Sequence, residues 1–132
     1  QREEPQDQTI RMTLKTLPGK MMYDQDTIRV EAGKQVELVF VNNDNMVHNI
    51  VFVKQGFKET VGIKADEMAS EADAQERQYI PESEGILFYS PLVDIGESFT
   101  LNFTAPSEKG NYPFLCTFPA HWRMMWGIMV VE

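Results

Sequence analysis

Ten residues near the C-terminus combine the side chains that soft transition metals prefer. Cys116 is the only cysteine of the chain, His121 follows it by five residues, and Met124 and Met125 close the segment. A thiolate, an imidazole and a thioether are ligands that suit copper in proteins. A lone cysteine cannot form an internal disulfide, so its thiol is buried and inert, reactive, or a metal ligand. The spacing predicts a copper site in this segment, called here the ligand loop (Cys116–Met125).

The second histidine of the chain, His48, lies far upstream of the ligand loop. Rapid one-electron exchange needs a geometry that suits both Cu(I) and Cu(II), and a trigonal His–His–Cys set with a weak axial thioether is such a compromise. Zinc is a poorer candidate, because one Cys and two His give three ligands where structural zinc sites use four. Singly, each residue also fits a packing or surface role; jointly they favour one copper site.

The rest of the chain must bring His48 to the ligand loop, and its pattern predicts strands that could do so. Short segments alternate hydrophobic and polar residues or are rich in β-formers, and turn residues separate them. These segments are 10–15, 28–30, 36–41, 50–53, 86–89, 99–104, 112–116 and 127–131. Many short strands with one helix indicate a β-sandwich.

One helical segment is predicted over Lys64 to Arg77, as an insertion against a sheet edge. Ala65, Met68, Ala69 and Ala72 fall on one helix face at spacings of three and four, and Pro81 prevents continuation. Eight acidic residues against two basic ones lie between residues 59 and 84. This charge is interpreted as a solvated helix face, with electrostatic steering of a partner as the alternative.

Length and composition suit one soluble domain. Residues 1–8 are polar and aperiodic, which indicates a tail or a linker, so the predicted domain spans residues 9–132. The net charge of −8 argues against a nucleic-acid partner, since no basic patch could neutralise phosphates. No apolar run is long enough to cross a bilayer.

The sequence from Cys116 to His121, followed by Met125 and Gly127, resembles the metal loop of the blue copper cupredoxins of the azurin/auracyanin family. Residues 46–49 resemble their upstream ligand segment, and residues 21–30 are similar to their second-strand region. The resemblance spans residues 9–132. It implies an all-β cupredoxin fold, a Greek-key sandwich of about eight strands that holds one type 1 copper ion at one end.

The resemblance also implies roles for individual residues. His48, Cys116 and His121 would be equatorial ligands and Met125 the axial one, with Met124 as the register alternative. The Val47 carbonyl would make a weak axial contact. Among the neighbours of the ligands, the amides of Asn49 and Phe118 would hydrogen-bond the thiolate sulfur, and the Asn49 side chain would tie the two ligand segments together near Thr117.

The implied function is outer-sphere electron transfer through an exposed edge of His121, without catalysis. A redox protein, such as a c-type cytochrome or an oxidoreductase domain, would dock on a surrounding apolar patch. The predicted patch residues are Met21, Met46, Pro119, Ala120, Trp122 and Met124. The family expectation for location is periplasmic or extracytoplasmic, with any signal or upstream segment absent from this chain.

The sequence is also compatible with other functions. The chain could be a copper-carrying or delivery module, an electron-transfer domain of a larger multidomain redox protein, or an interaction domain that uses no metal. It also departs from the azurin pattern. It lacks their disulfide, has Val47 and Ala120 at positions where they carry Gly, and has Trp122 where smaller residues are common.

Overall fold

The computed structural model describes residues 9–132, so the predicted tail at residues 1–8 lies outside the described residues. No helix within the described part is long and apolar enough to cross a membrane. The elements in chain order are β1 (Ile10–Lys15), β2 (Thr27–Val30), β3 (Gln35–Val41), β4 (Val51–Val53), α1 (Lys58–Met68), β5 (Ile86–Tyr89), β6 (Ser98–Thr104), β7 (Gly110–Leu115) and β8 (Trp126–Val131).

The eight strands form two sheets. One has three strands in the order β1-β3-β6, and the other has five in the order β2-β8-β7-β4-β5. The β1–β3 and β2–β8 pairs are parallel, and the remaining pairs are antiparallel. Burial alternates along β3 because side chains of a strand point to opposite faces, and one face packs on the second sheet. The predicted all-β sandwich is confirmed.

Several aromatic side chains pack against one another within the core between the sheets. The ring centroid of Phe52 lies 5.3 Å from that of Phe103 and 5.4 Å from that of Phe114. Tyr23 packs edge-on against Phe114 at 5.2 Å, and its hydroxyl donates to the Asn49 carbonyl at 2.8 Å. The packed core therefore continues up to the residue next to His48, which gives that part of the chain a rigid base.

The outer face of the five-stranded sheet is covered as well. Val51 and Val53 of β4 and Leu115 at the end of β7 form a second buried cluster with Val61 of α1 and Trp122 of the ligand loop. Both β4 and β7 are interior strands of their sheet. The helix thus lies on a sheet face, and the prediction that it lies against a sheet edge is wrong.

The predicted bounds of the helix, Lys64 to Arg77, are also wrong. The helix begins six residues earlier, at Lys58, because its buried stripe consists of Val61, Ala65 and Met68 at spacings of four and three. Its last turn has no basic residue, and further acidic residues follow it, which the negative C-terminal end of the helix dipole disfavours. Turns replace helix from there to residue 79.

Candidate metal centre

His48 is held by a short bridge between two loops. Its amide donates to the Val93 carbonyl at 3.3 Å, and the Val93 amide donates back to the His48 carbonyl at 2.7 Å. The His48 residue is fully buried. It lies just ahead of β4, and the two backbone bonds fix the direction from which its ring enters the site.

The ligand loop closes on itself through backbone hydrogen bonds. Cys116 directly follows β7, and its amide donates to the Met125 carbonyl at 3.1 Å. The amides of Met125 and Met124 both donate to the His121 carbonyl, at 2.9 and 3.1 Å, and the His121 amide donates to the Phe118 carbonyl at 3.0 Å. This compact turn returns His121 to the neighbourhood of Cys116.

The two segments bring three donor atoms together. Cys116 Sγ lies 3.8 Å from His48 Nδ1 and 3.5 Å from His121 Nδ1. All three donor atoms lie within 4.8 Å of one another, and all three residues are buried. The two imidazole rings are 5.0 Å apart between centroids.

This donor set fits a copper ion. A trigonal first-row metal with bonds of about 2.1 Å separates its donors by about 3.6 Å, and the two sulfur–nitrogen distances of 3.8 and 3.5 Å bracket that value. Two imidazole nitrogens and one thiolate are the equatorial set of blue copper sites. The three residues could therefore hold a copper ion with little rearrangement.

Burial controls the protonation of two of these donors. It raises the pKa of Cys116 to about 12, while hydrogen bonds from the amides of Asn49 and Phe118 oppose that rise. The thiol is therefore protonated at neutral pH, and a bound cation would displace its proton. Burial, followed by the charge of His48, lowers the pKa of His121 to about 4, against an opposing effect of Asp44. His121 is thus neutral at pH 7 and can offer a lone pair to a metal.

Asn49 connects the His48 side of the site to the ligand loop. Its Nδ2 donates to Thr117 Oγ1 at 2.9 Å, and its Oδ1 accepts the Thr117 amide at 2.9 Å. Its own amide points at Cys116 Sγ at 3.5 Å. Nδ2 also donates to the Gln78 carbonyl at 3.3 Å, so Asn49 also links the site to the turns that follow α1. Phe118 packs its ring 5.0 Å from that of His121.

The two loop methionines differ sharply in exposure. Met125 is fully buried, whereas Met124 is 66 % exposed. Met125 is also tied to Cys116 through its carbonyl, as described above. Val47 is half-buried directly before His48. An interior position suits a thioether that must reach the donor cluster, and an exposed one does not.

Most of the predicted patch lies at least partly at the surface. Met46 is 39 % exposed and Met124 is 66 % exposed, and Ala120 is exposed. Met21 and Pro119 are half-buried. These five residues, called here the methionine patch, retain accessible apolar surface.

Two predictions about exposure are wrong. Trp122 is only 4 % exposed, because its ring packs on Gly62 of α1 so closely that a Cβ there would come within 2.2 Å of it, and its Nε1 donates to Asp66 at 3.1 Å. His121 is 1 % exposed, so its predicted exposed edge is absent. The packed ring of Phe118 helps to cover it.

Asp44 is a site residue that the sequence reading missed. Its Oδ2 lies 2.7 Å from His48 Nε2, and its Oδ1 accepts the amides of Gly19 and Asn45, both at 2.8 Å. Burial raises the pKa of Asp44, but these hydrogen bonds outweigh it and hold that pKa below its ordinary value. From sequence, residues 42–45 indicate only a turn. A carboxylate four residues before a candidate ligand is the signal that could have identified it.

Comparison with known proteins identifies a family that matches this chain. Residues 10–132 match the family described as copper binding proteins, plastocyanin/azurin family. The chain is 32 % identical over 115 residues to auracyanin-A of Chloroflexus aurantiacus, which covers 86 % of this chain and 68 % of that protein. It is 26 % identical over 120 residues to azurin of Pseudomonas aeruginosa, with 86 % and 79 % covered.

A solved structure of reduced auracyanin from Roseiflexus castenholzii superposes with a TM-score of 0.79 at 34 % identity, covering 92 % of this chain and 96 % of that one. The structure of auracyanin A from Chloroflexus aurantiacus, described as a "blue" copper protein, gives a TM-score of 0.83 at 30 % identity, with 94 % and 99 % covered. The similarity therefore extends over the whole sandwich and both segments of the site.

Proposed function

Since the chain belongs to the plastocyanin/azurin family of copper-binding proteins, we propose that it is a type 1 blue copper protein that carries single electrons. The observation that supports this most directly is the buried cluster of His48, Cys116 and His121, whose donor atoms lie within 4.8 Å of one another. When bound there, one copper ion supplies the Cu(I)/Cu(II) couple. The protein acts as an electron carrier and not as an enzyme.

His48, Cys116 and His121 are the proposed equatorial ligands, and Met125 is the proposed axial ligand. The burial of Met125 supports this choice over Met124, which faces solvent. The Val47 carbonyl stays a predicted weak axial contact. Because the scaffold holds these groups on both sides of the site, the geometry changes little between the two oxidation states, which favours rapid exchange.

The amides of Asn49 and Phe118 are proposed to hydrogen-bond the Cys116 thiolate. The 3.5 Å contact from the Asn49 amide to Sγ supports this role, as does the lowering effect of both amides on the Cys116 pKa. Such bonds withdraw charge from the sulfur and stabilise the reduced site, which raises its reduction potential. The side-chain connection from Asn49 to Thr117 keeps these donors in place.

Electrons are proposed to pass through the His121 ring and the residues that cover it, such as Phe118, to a partner docked on the methionine patch. Outer-sphere transfer requires a short distance between the copper and the partner's redox centre, but it does not require the ligand to touch solvent. Burial of His121 therefore does not prevent it. Weak redox encounters use small interfaces, and exposed apolar patches serve as docking sites. The proposed partners are a c-type cytochrome or an oxidoreductase domain, and the proposed location is periplasmic or extracytoplasmic.

The deciding experiment is to add Cu(II) to the purified chain and record its visible spectrum. We expect an intense blue thiolate-to-copper band that is absent from Cys116→Ser. Zn²⁺ serves as the control, since its filled d shell gives no such band. A colourless product, or a blue band that survives the substitution, would contradict the proposal and favour an interaction domain that uses no metal.

A matched pair of variants tests the axial ligand. Met125→Leu should shift the reduction potential strongly, because it removes the only proposed axial thioether, while Met124→Leu should leave it nearly unchanged. Both variants keep the size and apolar character of the side chain. The reverse pattern would assign Met124, the register alternative, as the ligand.

A second matched pair tests the docking surface. Met124→Gln should slow electron self-exchange between oxidised and reduced copies, whereas Ile63→Gln should not, although Ile63 is also exposed, at 48 %. Neither change should alter the blue spectrum. Slow self-exchange in the unmodified protein, together with ready loss of copper, would instead favour a copper-delivery module.

A further inference from the structure

The nitrogen of His48 that faces away from Cys116 contacts a buried acid. His48 Nε2 lies 2.7 Å from Asp44 Oδ2, and the two side chains are 0 % and 2 % exposed. The second carboxylate oxygen accepts the Gly19 and Asn45 amides, both at 2.8 Å. Every polar contact that the structure gives the Asp44 side chain therefore comes from a group that can donate, as suits a carboxylate anion.

This contact determines which nitrogen of His48 carries the proton. A carboxylate only accepts hydrogen bonds, so Nε2 must donate, and the neutral ring then keeps its lone pair on Nδ1. Nδ1 is the atom that lies 3.8 Å from Cys116 Sγ. The other histidine, His121, also directs its Nδ1 at the sulfur, at 3.5 Å.

The carboxylate is also part of a rigid frame. The amide of Asp44 donates to Asn42 Oδ1 at 2.9 Å, and Asn42 Nδ2 donates to the Val93 carbonyl at 2.8 Å. Val93 is the residue whose backbone brackets His48. The acid and the ring it contacts are thus held by the same neighbours, which leaves little freedom for the carboxylate to swing away.

We propose that Asp44 is a positioning residue of the copper site, which presents His48 Nδ1 to the metal and places one buried negative charge behind the ring. This inference rests on the proposed function, since it concerns the same site. A nearby anion stabilises Cu(II) more than Cu(I), because the interaction grows with the charge of the cation. Asp44 therefore lowers the reduction potential, opposite in sign to the amides that contact the thiolate.

Asp44→Asn in the copper-loaded protein tests the assignment. The amide keeps an oxygen for the Gly19 and Asn45 donors but turns an NH₂ group toward His48 Nε2, which favours the wrong tautomer and removes the charge. We expect Cu(II) affinity to fall about 10- to 100-fold. At a fixed solution potential, the Cu(I):Cu(II) ratio should rise about tenfold, which corresponds to about +59 mV for a one-electron couple.

Asp24→Asn is the matched control. Asp24 also accepts a backbone amide, from Lys15 at 2.9 Å, but its bond is exposed and involves no candidate ligand. The substitution deletes one negative charge, as Asp44→Asn does. We expect less than a twofold change in the Cu(II) affinity or in the Cu(I):Cu(II) ratio. An equal loss of Cu(I) and Cu(II) affinity in Asp44→Asn, with an unchanged potential, would mean that Asp44 only supports the fold and would overturn the proposal.

Asp44→Ser keeps the test decisive if the amide variant fails to fold, because a serine hydroxyl can still accept the Asn45 amide while the charge is gone. A potential within the range of the Asp24→Asn control would overturn the inference in this variant too. These outcomes are separable from the wider proposal. If the unmodified protein is blue and Asp44 variants keep its potential, only the role of Asp44 fails; if it is colourless, the copper function itself fails.

Discussion

The two segments that supply the site are held in different ways. The His48 segment (Asn42–Asn49) lies in a buried network that reaches Thr16 and Val93, elements distant in sequence. The ligand loop is closed by backbone bonds among its own residues, from Cys116 to Met125, and its Trp122 ring is anchored on the neighbouring helix α1. One histidine is thus positioned by the body of the protein and the other by a local turn.

This difference indicates how the site divides its tasks. A ligand fixed from the core resists displacement, whereas a ligand on a short loop lies beside the surface where a partner could dock. The two hydrogen bonds between Asn49 and Thr117 couple the segments directly, beside the contact of the Asn49 amide with Cys116 Sγ. The comparison therefore predicts large costs for damage to the His48 segment, intermediate costs for the link, and small costs for the loop.

The largest effect is expected from Asn42→Ala. Asn42 is fully buried; its oxygen accepts the Thr16 hydroxyl and a backbone amide, and its NH₂ donates to the Met46 and Val93 carbonyls at 2.8 Å each. Leaving several buried groups unsatisfied should lower the free energy of unfolding by about 4 kcal/mol. Urea unfolding of the copper-free protein measures it, with exposed Asn43→Ala as the control. A loss below about 1 kcal/mol would contradict the view of a network-held segment.

The link between the segments comes next. Asn49→Ala should cost about 3 kcal/mol, since it strands the Thr117 amide and hydroxyl in a buried site. A double-mutant cycle with Thr117→Val isolates the bond from Asn49 Nδ2 to Thr117 Oγ1, because valine keeps the backbone amide that donates to Asn49 Oδ1. We expect a coupling free energy of about 1 kcal/mol from this one bond. Strictly additive losses would show that the segments are positioned independently of each other.

The same comparison explains what the sequence could predict. Alternating residues such as Val36, Leu38 and Phe40 identify strands because one face of each strand must be buried, and that constraint is local. The ligands are identifiable because so few soft donors exist in the chain. Both signals reside in residue type and spacing, which a single sequence contains in full.

The misses depend on contacts between distant residues. The local sequence around Trp122 fits an aromatic residue at the surface of an apolar loop. Only its contact with Gly62, sixty positions earlier, shows that it is buried. The start of α1 at Lys58 likewise depends on the packing of Val61 in one buried cluster with Leu115 and Val51. Asp44 resembles any turn former until the fold places it against His48. Tertiary packing decides each case, and no local propensity encodes it.

Acid should weaken the copper-free protein through the ligand loop. The pKa of His121 is lowered to about 4 in the folded state, from an ordinary 6.5. The unfolded chain therefore binds more protons between these values, and stability falls as the pH drops from about 6.5 to about 4. We expect a loss of about 2 kcal/mol in urea unfolding over this window, after allowance for solvent near the loop. His121→Gln should flatten the profile; an unchanged slope would place the titrating group elsewhere.

The smallest effect concerns the loop backbone. Ala120 has a φ of 72°, a left-handed conformation that costs an alanine roughly 1 kcal/mol and a glycine almost nothing. Ala120→Gly should therefore stabilise the protein by about 0.5 kcal/mol, because relief of strain exceeds the entropy that the unfolded chain gains. Ala69→Gly is the opposite control, since Ala69 has a right-handed φ of −57° at the end of α1 and should lose stability by a similar amount. If both variants destabilise equally, the ligand loop does not hold Ala120 under strain, and its turn is less constrained than its hydrogen bonds imply.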